Sequence, residues 1–329
     1  MEYRRIGSLS VPVVGLGCNQ FATAACDEAT SIAIIHEAID AGITYFDVAD
    51  EYGQNYADPT ERGGWGASEQ VLGRALRGRR RDQVLIATKF GAHPHGEVRR
   101  GGNSARWART ALEDSLRRLG TGYIDLYQVH FPDPGTPIAE TLAVLDEFVR
   151  AGRVREIGCC NFSAAMLAEA KHAADSTGGR RFVSVQNQLN LFQRTALDEV
   201  LPACVELGLS FIPYYPLASG MLTGKYRRGA ALPSGTRLTD GLMVGPQARD
   251  RLFSDKTFAR LEALERFASD HGHSLLELAF AWLLAQPAVA SVIAGAAKPG
   301  QVSVNAAAAG WRLTPEEAGR ATRAVLAAA

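Results

Sequence analysis

Helical and strand patterns alternate along the chain, and this alternation limits the fold more than any other feature. An amphipathic helical pattern over residues 31–41 ends at Gly42, and a short strand pattern follows at 44–46. Pairs of this kind recur, and the predicted strands end near Cys18, Asp47, Lys89, His130, Cys160, Gln186, Pro213 and Ile293. Strands that are separated by helices must run parallel, and eight of them favour a closed (β/α)8 barrel, the TIM barrel, over an open sheet.

Some patterns lie outside this repeat. Residues 3–5 and 9–11 flank a Gly-Ser turn and predict an N-terminal hairpin. Residues 215–253 form a long segment rich in Gly, Pro and Arg, and loops of that length are usually functional. The helical pattern at 195–207 still belongs to the repeat, whereas those at 258–267 and 315–326 are additional, the last behind the capping residue Thr314. A length of 329 residues suits one barrel, so we expect a single domain over 1–329.

The composition argues against several classes of partner. Lys and Arg number 35, as do Asp and Glu, so the balanced charge gives no electrostatic reason to expect nucleic acid or a membrane surface. The first residues contain no apolar run of signal-peptide length, and we expect a soluble cytoplasmic protein. The five cysteines form no CxxC pair and no metal-ligand spacing, which predicts free thiols and no metal.

Four side chains with useful chemistry are predicted at or just after neighbouring strand ends: Asp47, Tyr52, Lys89 and His130. TIM-barrel enzymes place their working residues at this end of the strands. Only five of the 35 basic residues are lysines, so a lysine at a buried strand end stands out. Its ammonium could neutralise Asp47 and lower the pKa of the Tyr52 phenol, while His130 could orient a carbonyl or relay a proton. Each residue alone has an ordinary structural explanation, but four at consecutive strands predict a catalytic site.

The segments around these residues carry specific motifs. They read FDVADEYG at 46–53, TKF at 88–90, YQVH at 127–130 and GCCNFS at 158–163, followed by QNQLN at 186–190, YYPLA at 214–218, GMLTGKY at 220–226 and the stretch 295–305. On these motifs the chain resembles the aldo-keto reductase family along essentially its whole length. The resemblance implies a catalytic tetrad of Asp47, Tyr52, Lys89 and His130. It also implies NADP(H)-dependent reduction of an aldehyde or ketone to the alcohol, with hydride from the nicotinamide and a proton from Tyr52.

The same resemblance implies a cofactor site. Asn161 and Gln186 would hold the nicotinamide carboxamide, and Tyr214 would stack on its ring. The loop from Leu217 to Lys225 would cover the pyrophosphate, and Lys298 would meet the 2′-phosphate. The full implied set is Asp47, Cys160, Asn161, Gln186, Tyr214, Leu217, Gly220, Leu222, Lys225, Gly295, Lys298, Gln301 and Asn305, with the last two at the adenine.

Several positions depart from the pattern of many relatives. Cys160 and Tyr215 stand where serines are frequent, and Ala297 replaces a frequent hydroxyl residue beside the 2′-phosphate position. Gly300 stands where many relatives carry a Glu. We therefore expect NADPH to be preferred over NADH by a smaller margin than usual. Residues 54–66 form a longer segment than usual, and its Tyr56, Pro59 and Trp65 are expected to shape the substrate pocket.

The sequence also offers alternatives to a reductase that acts on a small-molecule carbonyl. A Rossmann site is disfavoured because Gly15-Leu16-Gly17 lacks the third glycine and opens no helix. A metal-dependent hydrolase could use His93, His95, His130 and Asp133, although their spacing does not converge. A non-catalytic, cofactor-sensing or regulatory subunit of the same fold would carry the same tetrad. The sequence is compatible with a homo-oligomer.

Overall fold

The polypeptide forms a (β/α)8 barrel, as the alternating patterns predict. The computed structural model describes residues 1–53, 64–78, 81–91, 102–236, 238 and 252–328. Within these ranges, eight strands run parallel in one sheet, and neighbouring strands along the chain are hydrogen-bonded to each other. A parallel bridge between Phe211 and Val289 joins the two edges of the sheet, with hydrogen bonds of 2.7 Å from Phe211 N to Ala288 O and 3.0 Å from Ala290 N to Phe211 O. This bridge closes the barrel.

The strands lie close to their predicted positions. An antiparallel hairpin of β1 (Tyr3–Ile6) and β2 (Leu9–Pro12) precedes the barrel. The barrel strands are β3 (Val14–Gly17), β4 (Tyr45–Asp47), β5 (Leu85–Phe90), β6 (Ile124–Val129), β7 (Val154–Cys160), β8 (Ser184–Gln188), β9 (Ser210–Tyr214) and β10 (Val292–Gly295). The hairpin packs Ile6, Leu9 and Val11 against interior barrel residues, so it covers one end of the barrel and leaves the other for a site.

Helices surround the barrel and bury one face each against it. They are α1 (Glu28–Asp40), α2 (Ala67–Ala75), α3 (Ala105–Leu119), α4 (Ile138–Arg150), α5 (Ala164–Thr177), α6 (Val200–Leu207), α7 (Asp255–Asp270), α8 (Leu275–Leu284), α9 (Gln301–Ala308) and α10 (Pro315–Ala327). Short 3-10 segments occur at Arg81–Gln83, Thr195–Leu197 and Ala218–Thr223. The larger core lies between the helices and the outside of the barrel. The predicted Thr314 cap is confirmed, because its hydroxyl accepts from Glu317 N at 3.2 Å and the Glu317 carboxylate accepts in return.

The helix predicted over 195–207 was wrong in its extent. The structure has a 3-10 turn at Thr195–Leu197 and starts α6 only at Val200. Pro202 explains the break, because a helix running from Thr195 would place it in the interior, where it lacks the N–H and its ring meets the carbonyl four residues earlier. Starting at Val200 puts Pro202 in the first turn, where the missing N–H costs nothing.

The start of α1 and the whole of α9 were not predicted. The first turn of α1 begins three residues early because Asp27 caps it, with Oδ1 accepting from Thr30 N at 2.8 Å. Helix α9 follows β10 after a short loop, and because Val302 and Val304 are its only large apolar side chains, it gives no clear apolar periodicity. None of the helices in the described ranges combines the length and apolar character that a bilayer crossing requires.

Candidate active site

The side chains that fill the barrel interior change from apolar in one layer of residues to polar in the next. Tyr45, Ala87, Leu126, Ile212 and Ile293 are buried together near the hairpin. Side chains two residues further along a strand point to the same interior face. On β4, β5, β6 and β9 those next residues are Asp47, Lys89, Gln128 and Tyr214, and Gln186 lies on β8 between the last two strands of this arc. The candidate site is therefore a polar layer that rests on an apolar one.

Lys89 lies at the centre of this layer. Its side chain is fully buried, and its Nζ donates to Asp47 Oδ1 at 2.5 Å, to Val48 O at 3.1 Å and to the Tyr52 hydroxyl at 3.2 Å. An ammonium has three N–H donors, and here each meets one acceptor. The structure thus brings Lys89 of β5 to Asp47 and Tyr52, which come from the segment at 46–53.

Two amides hold the other oxygen of the Asp47 carboxylate. Gln186 Nε2 donates to Asp47 Oδ2 at 2.8 Å and Gln128 Nε2 donates to the same oxygen at 3.3 Å. A buried carboxylate is costly unless it is paired and hydrogen-bonded. Asp47 meets both conditions, with a cation on one oxygen and neutral donors on the other.

The turn after β4 positions Tyr52. Asp50 N donates to Lys89 O at 3.2 Å, so the chain stays alongside β5 beyond the end of β4. Tyr52 N donates to Ala49 O and Tyr52 O accepts from Ser68 N, each at 3.2 Å. Gly53 has a φ of 101°, and a Cβ there would lie 2.7 Å from Ala67 Cβ. Only glycine permits this close passage to α2.

His130 lies directly beyond β6 and faces Tyr52. The two rings meet edge to face with centroids 5.8 Å apart, and His130 Nδ1 lies 3.5 Å from Glu51 Oε1. His130 N donates to Phe90 O at 2.7 Å, which ties the histidine to the end of β5. All four predicted catalytic residues therefore share one side of the barrel mouth.

Asn161 and Tyr214 form a second polar group on the opposite strands. Asn161 Nδ2 donates to His130 O and Asn161 Oδ1 accepts from the Tyr214 hydroxyl, both at 2.9 Å. Burial, followed by the nearby Cys160 and Tyr215, raises the pKa of Tyr214 to about 12, so its hydroxyl stays protonated and can donate. Asn161 has a φ of 62°, a left-handed conformation that Asn tolerates better than most residues.

Cys160 belongs to the same layer, and its thiol contacts a neighbouring side chain of the site. Its Sγ donates to Gln128 Oε1 at 3.8 Å. Burial raises the pKa of the Cys160 thiol, so the group stays neutral. The predicted free thiols are confirmed for all five cysteines, and each is buried.

The predicted pyrophosphate loop has a strained backbone. Within Ala218–Thr223, Ala218 and Ser219 have φ values of 46° and 57°, and Gly220 follows at 95°. Non-glycine residues with positive φ cluster at ligand-binding segments. Leu222 is buried and anchors the loop, while Lys225 is exposed and its Nζ would lie 2.9 Å from a Cβ on Gly220. Leu217, at the start of the loop, packs against the core.

The rim after β10 holds the predicted adenosine contacts. Gly295 and Lys298 are exposed, whereas Asn305 is buried in α9. Gln301 uses its Oε1 to accept from Ala297 N at 2.8 Å and Lys298 N at 3.1 Å, so this oxygen shapes the loop. The adenine role predicted for Gln301 and Asn305 stays a prediction.

A carboxylate from α1 meets the start of α9. Glu37 accepts from Gly300 N at 2.8 Å, from Ser303 N at 3.2 Å and from Ser303 Oγ at 2.7 Å. The hydrogen bond from Gly300 N lowers the pKa of Glu37. The positive end of α9 is therefore already matched by a negative side chain.

Of the four residues that a metal site could use, the structure describes only His130 and Asp133. His93 and His95 fall outside the described residues, as do Tyr56 and Pro59 of the predicted pocket segment. Asp133 accepts from Gly135 N at 2.9 Å and Thr136 Oγ1 at 2.7 Å in its own loop, and from Asn103 N at 3.0 Å. Among the residues that the structure describes, no group of three or more His, Cys, Asp or Glu side chains could hold a metal ion.

Sequence reasoning missed Gln128 and Glu51 as members of the site. Gln128 lies on β6, two residues before His130, so the period of two could have placed it on the interior face. Glu51 lies inside the motif that was recognised, next to Tyr52. Its contact with His130 depends on the turn geometry, which the sequence pattern does not specify.

Comparisons with known proteins agree with this geometry. The model of the Aldo/keto reductase family matches residues 13–325. Aldo-keto reductase YhdN of Bacillus subtilis (strain 168) is 33% identical over 326 residues, covering 96% of this chain and 91% of its own. A probable voltage-gated potassium channel subunit beta of Oryza sativa subsp. japonica is 32% identical over 313 residues, covering 93% of this chain and 90% of its own.

A solved structure gives the same result in three dimensions. The glycerol dehydrogenase of Gluconobacter oxydans superimposes with a TM-score of 0.80 and 31% identity, covering 99% of this chain and 95% of that one. A reductase and a dehydrogenase among the similar proteins support an oxidoreductase that uses a nicotinamide cofactor. With a family match over nearly the whole chain and relatives above 30% identity, the chain belongs to the aldo/keto reductase family.

Proposed function

We propose that the protein is an NADP(H)-dependent reductase that converts an aldehyde or ketone into the alcohol, with Asp47, Tyr52, Lys89 and His130 as its catalytic residues. One observation carries the proposal. The fully buried Lys89 ammonium lies 3.2 Å from the Tyr52 hydroxyl and 2.5 Å from its counter-ion Asp47. A phenol beside a buried cation is suited to give up a proton near neutral pH.

Each residue has a distinct role in the proposed reaction. Tyr52 donates its proton to the carbonyl oxygen, and Lys89 stabilises the phenolate that remains. Asp47 is the counter-ion that pairs with the buried Lys89 ammonium. His130, edge to face with Tyr52, positions the carbonyl oxygen at the phenol. The bound cofactor supplies the hydride that reduces the carbonyl carbon.

The side chains around the mouth fit a nicotinamide dinucleotide. Asn161 and Gln186 present amide groups that match a carboxamide, and Tyr214 offers a half-buried aromatic face. Two of the five lysines, Lys225 and Lys298, are exposed at the rim, where phosphates would need cations. The loop with positive φ values, at 218–220, lies just before Lys225 in sequence and can bring backbone N–H groups close to a ligand.

A non-catalytic, cofactor-sensing subunit is the second candidate, because a relative named a probable potassium channel subunit beta is 32% identical. Both candidates bind the cofactor, so turnover separates them. NADPH consumption should be followed by absorbance in the presence of short aldehydes, aromatic aldehydes and ketones. Cofactor binding with turnover supports the reductase, whereas tight binding without turnover on this panel supports the sensing subunit.

Lys298→Ala tests the cofactor preference. We expect the Kd for NADPH to rise about three- to tenfold, because one exposed charge facing a phosphate contributes a modest, salt-screened attraction. The Kd for NADH should stay almost unchanged, since it lacks the 2′-phosphate. Both cofactors are titrated by protein fluorescence quenching at fixed salt concentration.

Lys171→Ala provides the matched control for Lys298→Ala. Lys171 is partly exposed, but it lies on α5 and pairs with Asp175 at 2.8 Å. Its loss should change neither Kd. Equal weakening of NADPH and NADH in Lys298→Ala would place this lysine away from the 2′ position.

A further inference from the structure

Gln128 is fully buried in β6, yet its amide is the link between two groups of the site. Its Nε2 donates to Asp47 Oδ2 at 3.3 Å, and its Oε1 accepts from Cys160 Sγ at 3.8 Å. Asp47, Gln128 and Cys160 come from β4, β6 and β7, so the amide reaches across the barrel interior. A buried polar side chain with both ends engaged is held in one arrangement.

The chemistry of the two neighbours fixes the orientation of this amide. If the amide were reversed, its carbonyl oxygen would face the Asp47 carboxylate, and two acceptors would repel each other. The NH2 group would then face Cys160, whose thiol is neutral because burial raises its pKa, and the S–H donor would have no acceptor there. The observed orientation is therefore the favoured one.

The contact with Gln128 lies on the oxygen of Asp47 that Lys89 does not bind. The ammonium uses its three N–H groups on Asp47 Oδ1, Val48 O and the Tyr52 hydroxyl. Asp47 Oδ2 accepts instead from Gln128 at 3.3 Å and from Gln186 at 2.8 Å. If the Gln128 donor is lost, Gln186 alone holds Oδ2, and the carboxylate has more freedom to turn toward Lys89 and compete with Tyr52 for an N–H group.

We infer that Gln128 is a positioning residue that keeps one N–H group of Lys89 on the Tyr52 hydroxyl by holding the far oxygen of Asp47. The inference rests on the proposed function of Tyr52 as the proton donor. Without Gln128, the ammonium interacts less with the phenol, the phenol pKa rises and proton donation slows.

The first test is Gln128→Met, which keeps the length of the side chain and removes its donor. We expect kcat for carbonyl reduction to fall about tenfold and the Tyr52 phenol pKa to rise by about one unit. The alkaline limb of the kcat profile should move to higher pH by the same amount. Tyrosinate absorbance of each protein, minus that of the same protein carrying Tyr52→Phe, gives the phenol pKa directly. The Kd for NADPH should change less than twofold.

Leu126→Met is the matched control. Leu126 lies one interior layer below Gln128 on the same strand, among apolar side chains. It therefore receives the same new side chain in the same part of β6 without touching Asp47. We expect the phenol pKa and the kcat profile of the wild type.

The second test is Gln128→Glu, which has the same shape and a titrating end. While protonated, the introduced carboxyl donates its O–H to Asp47 and accepts from Cys160, so it replaces both contacts. Once ionised, it repels Asp47. Burial and the Asp47 charge keep it protonated at mildly acidic pH. We expect kcat within about threefold of the wild type near pH 6 and a progressive loss at higher pH that Gln128→Met does not show.

The outcomes separate this inference from the proposed function. A Gln128→Met protein with the phenol pKa and kcat profile of the wild type overturns the inference. So does a loss of thermal stability and cofactor affinity with the phenol pKa unchanged, because that marks Gln128 as merely structural. If the wild type turns over no carbonyl substrate but Gln128→Met still raises the phenol pKa, the positioning role stands and the reductase assignment fails.

Discussion

Tyr52→Phe should abolish carbonyl reduction while leaving the cofactor bound. The substitution removes a single hydroxyl, which accepts from Lys89 Nζ at 3.2 Å, and keeps the ring that meets His130 edge to face. Loss of a general acid typically lowers the rate by about a hundred- to ten-thousand-fold. The expected measurement is therefore a kcat reduced to that extent, with a Kd for NADPH within about twofold of the wild type.

Tyr123→Phe controls for the loss of a hydroxyl elsewhere. Tyr123 lies just before β6, and its ring is covered by the Arg81 guanidinium at 4.2 Å from the ring centroid. Its ring contacts survive the substitution, so turnover should be unaffected. Full turnover by Tyr52→Phe with the same substrates would remove Tyr52 from the mechanism.

Much of the site could be predicted because parallel strands turn a linear pattern into a spatial one. Asp47, Lys89 and His130 follow apolar runs, and in a parallel barrel the ends of such runs meet at one mouth. The structure adds the register, in which Lys89 pairs with Gln128 and Asp47 pairs with Ala87. The sequence thus identified which residues meet, while the distances between their atoms depend on this register.

The parts that were missed depend on contacts between distant segments. Glu37 on α1 contacts the start of α9, which is more than 260 residues away in sequence, and no local sequence pattern predicts that contact. Helix α9 has only two large apolar side chains, Val302 and Val304, so periodicity gives little signal. Gln128 was missed because the partners of a polar residue in a buried strand are not visible in the sequence.

The structure adds a contact that bears on the predicted cofactor preference. The sequence offered Lys298 as a cation beside the 2′-phosphate position, with Ala297 and Gly300 contributing no side-chain donor. The structure adds that Glu37 already occupies the N–H groups at the start of α9. A phosphate at this helix end would meet a carboxylate as well as a lysine, which agrees with the small margin expected for NADPH.

Lys89→Met should damage both stability and turnover. Asp47 Oδ1 would lose the buried cation that lies 2.5 Å away, and removing one partner of a buried ion pair typically costs about 3–5 kcal/mol in the free energy of unfolding. The phenol of Tyr52 would return toward its ordinary pKa of about 10 and donate its proton less readily. We expect a large drop in kcat together with a lower urea midpoint of unfolding.

The double variant Asp47→Asn with Lys89→Met separates these two effects. Replacing the carboxylate by a neutral amide removes the charge that Lys89→Met leaves unpaired, so much of the lost free energy of unfolding should return. Turnover should not return, because neither variant restores a cation beside Tyr52. Stability is compared by urea unfolding at neutral pH and turnover with the same carbonyl substrates. If the double variant is no more stable than Lys89→Met alone, the buried charge on Asp47 is not what Lys89 stabilises, and the pairing on which the proposed mechanism depends is wrong.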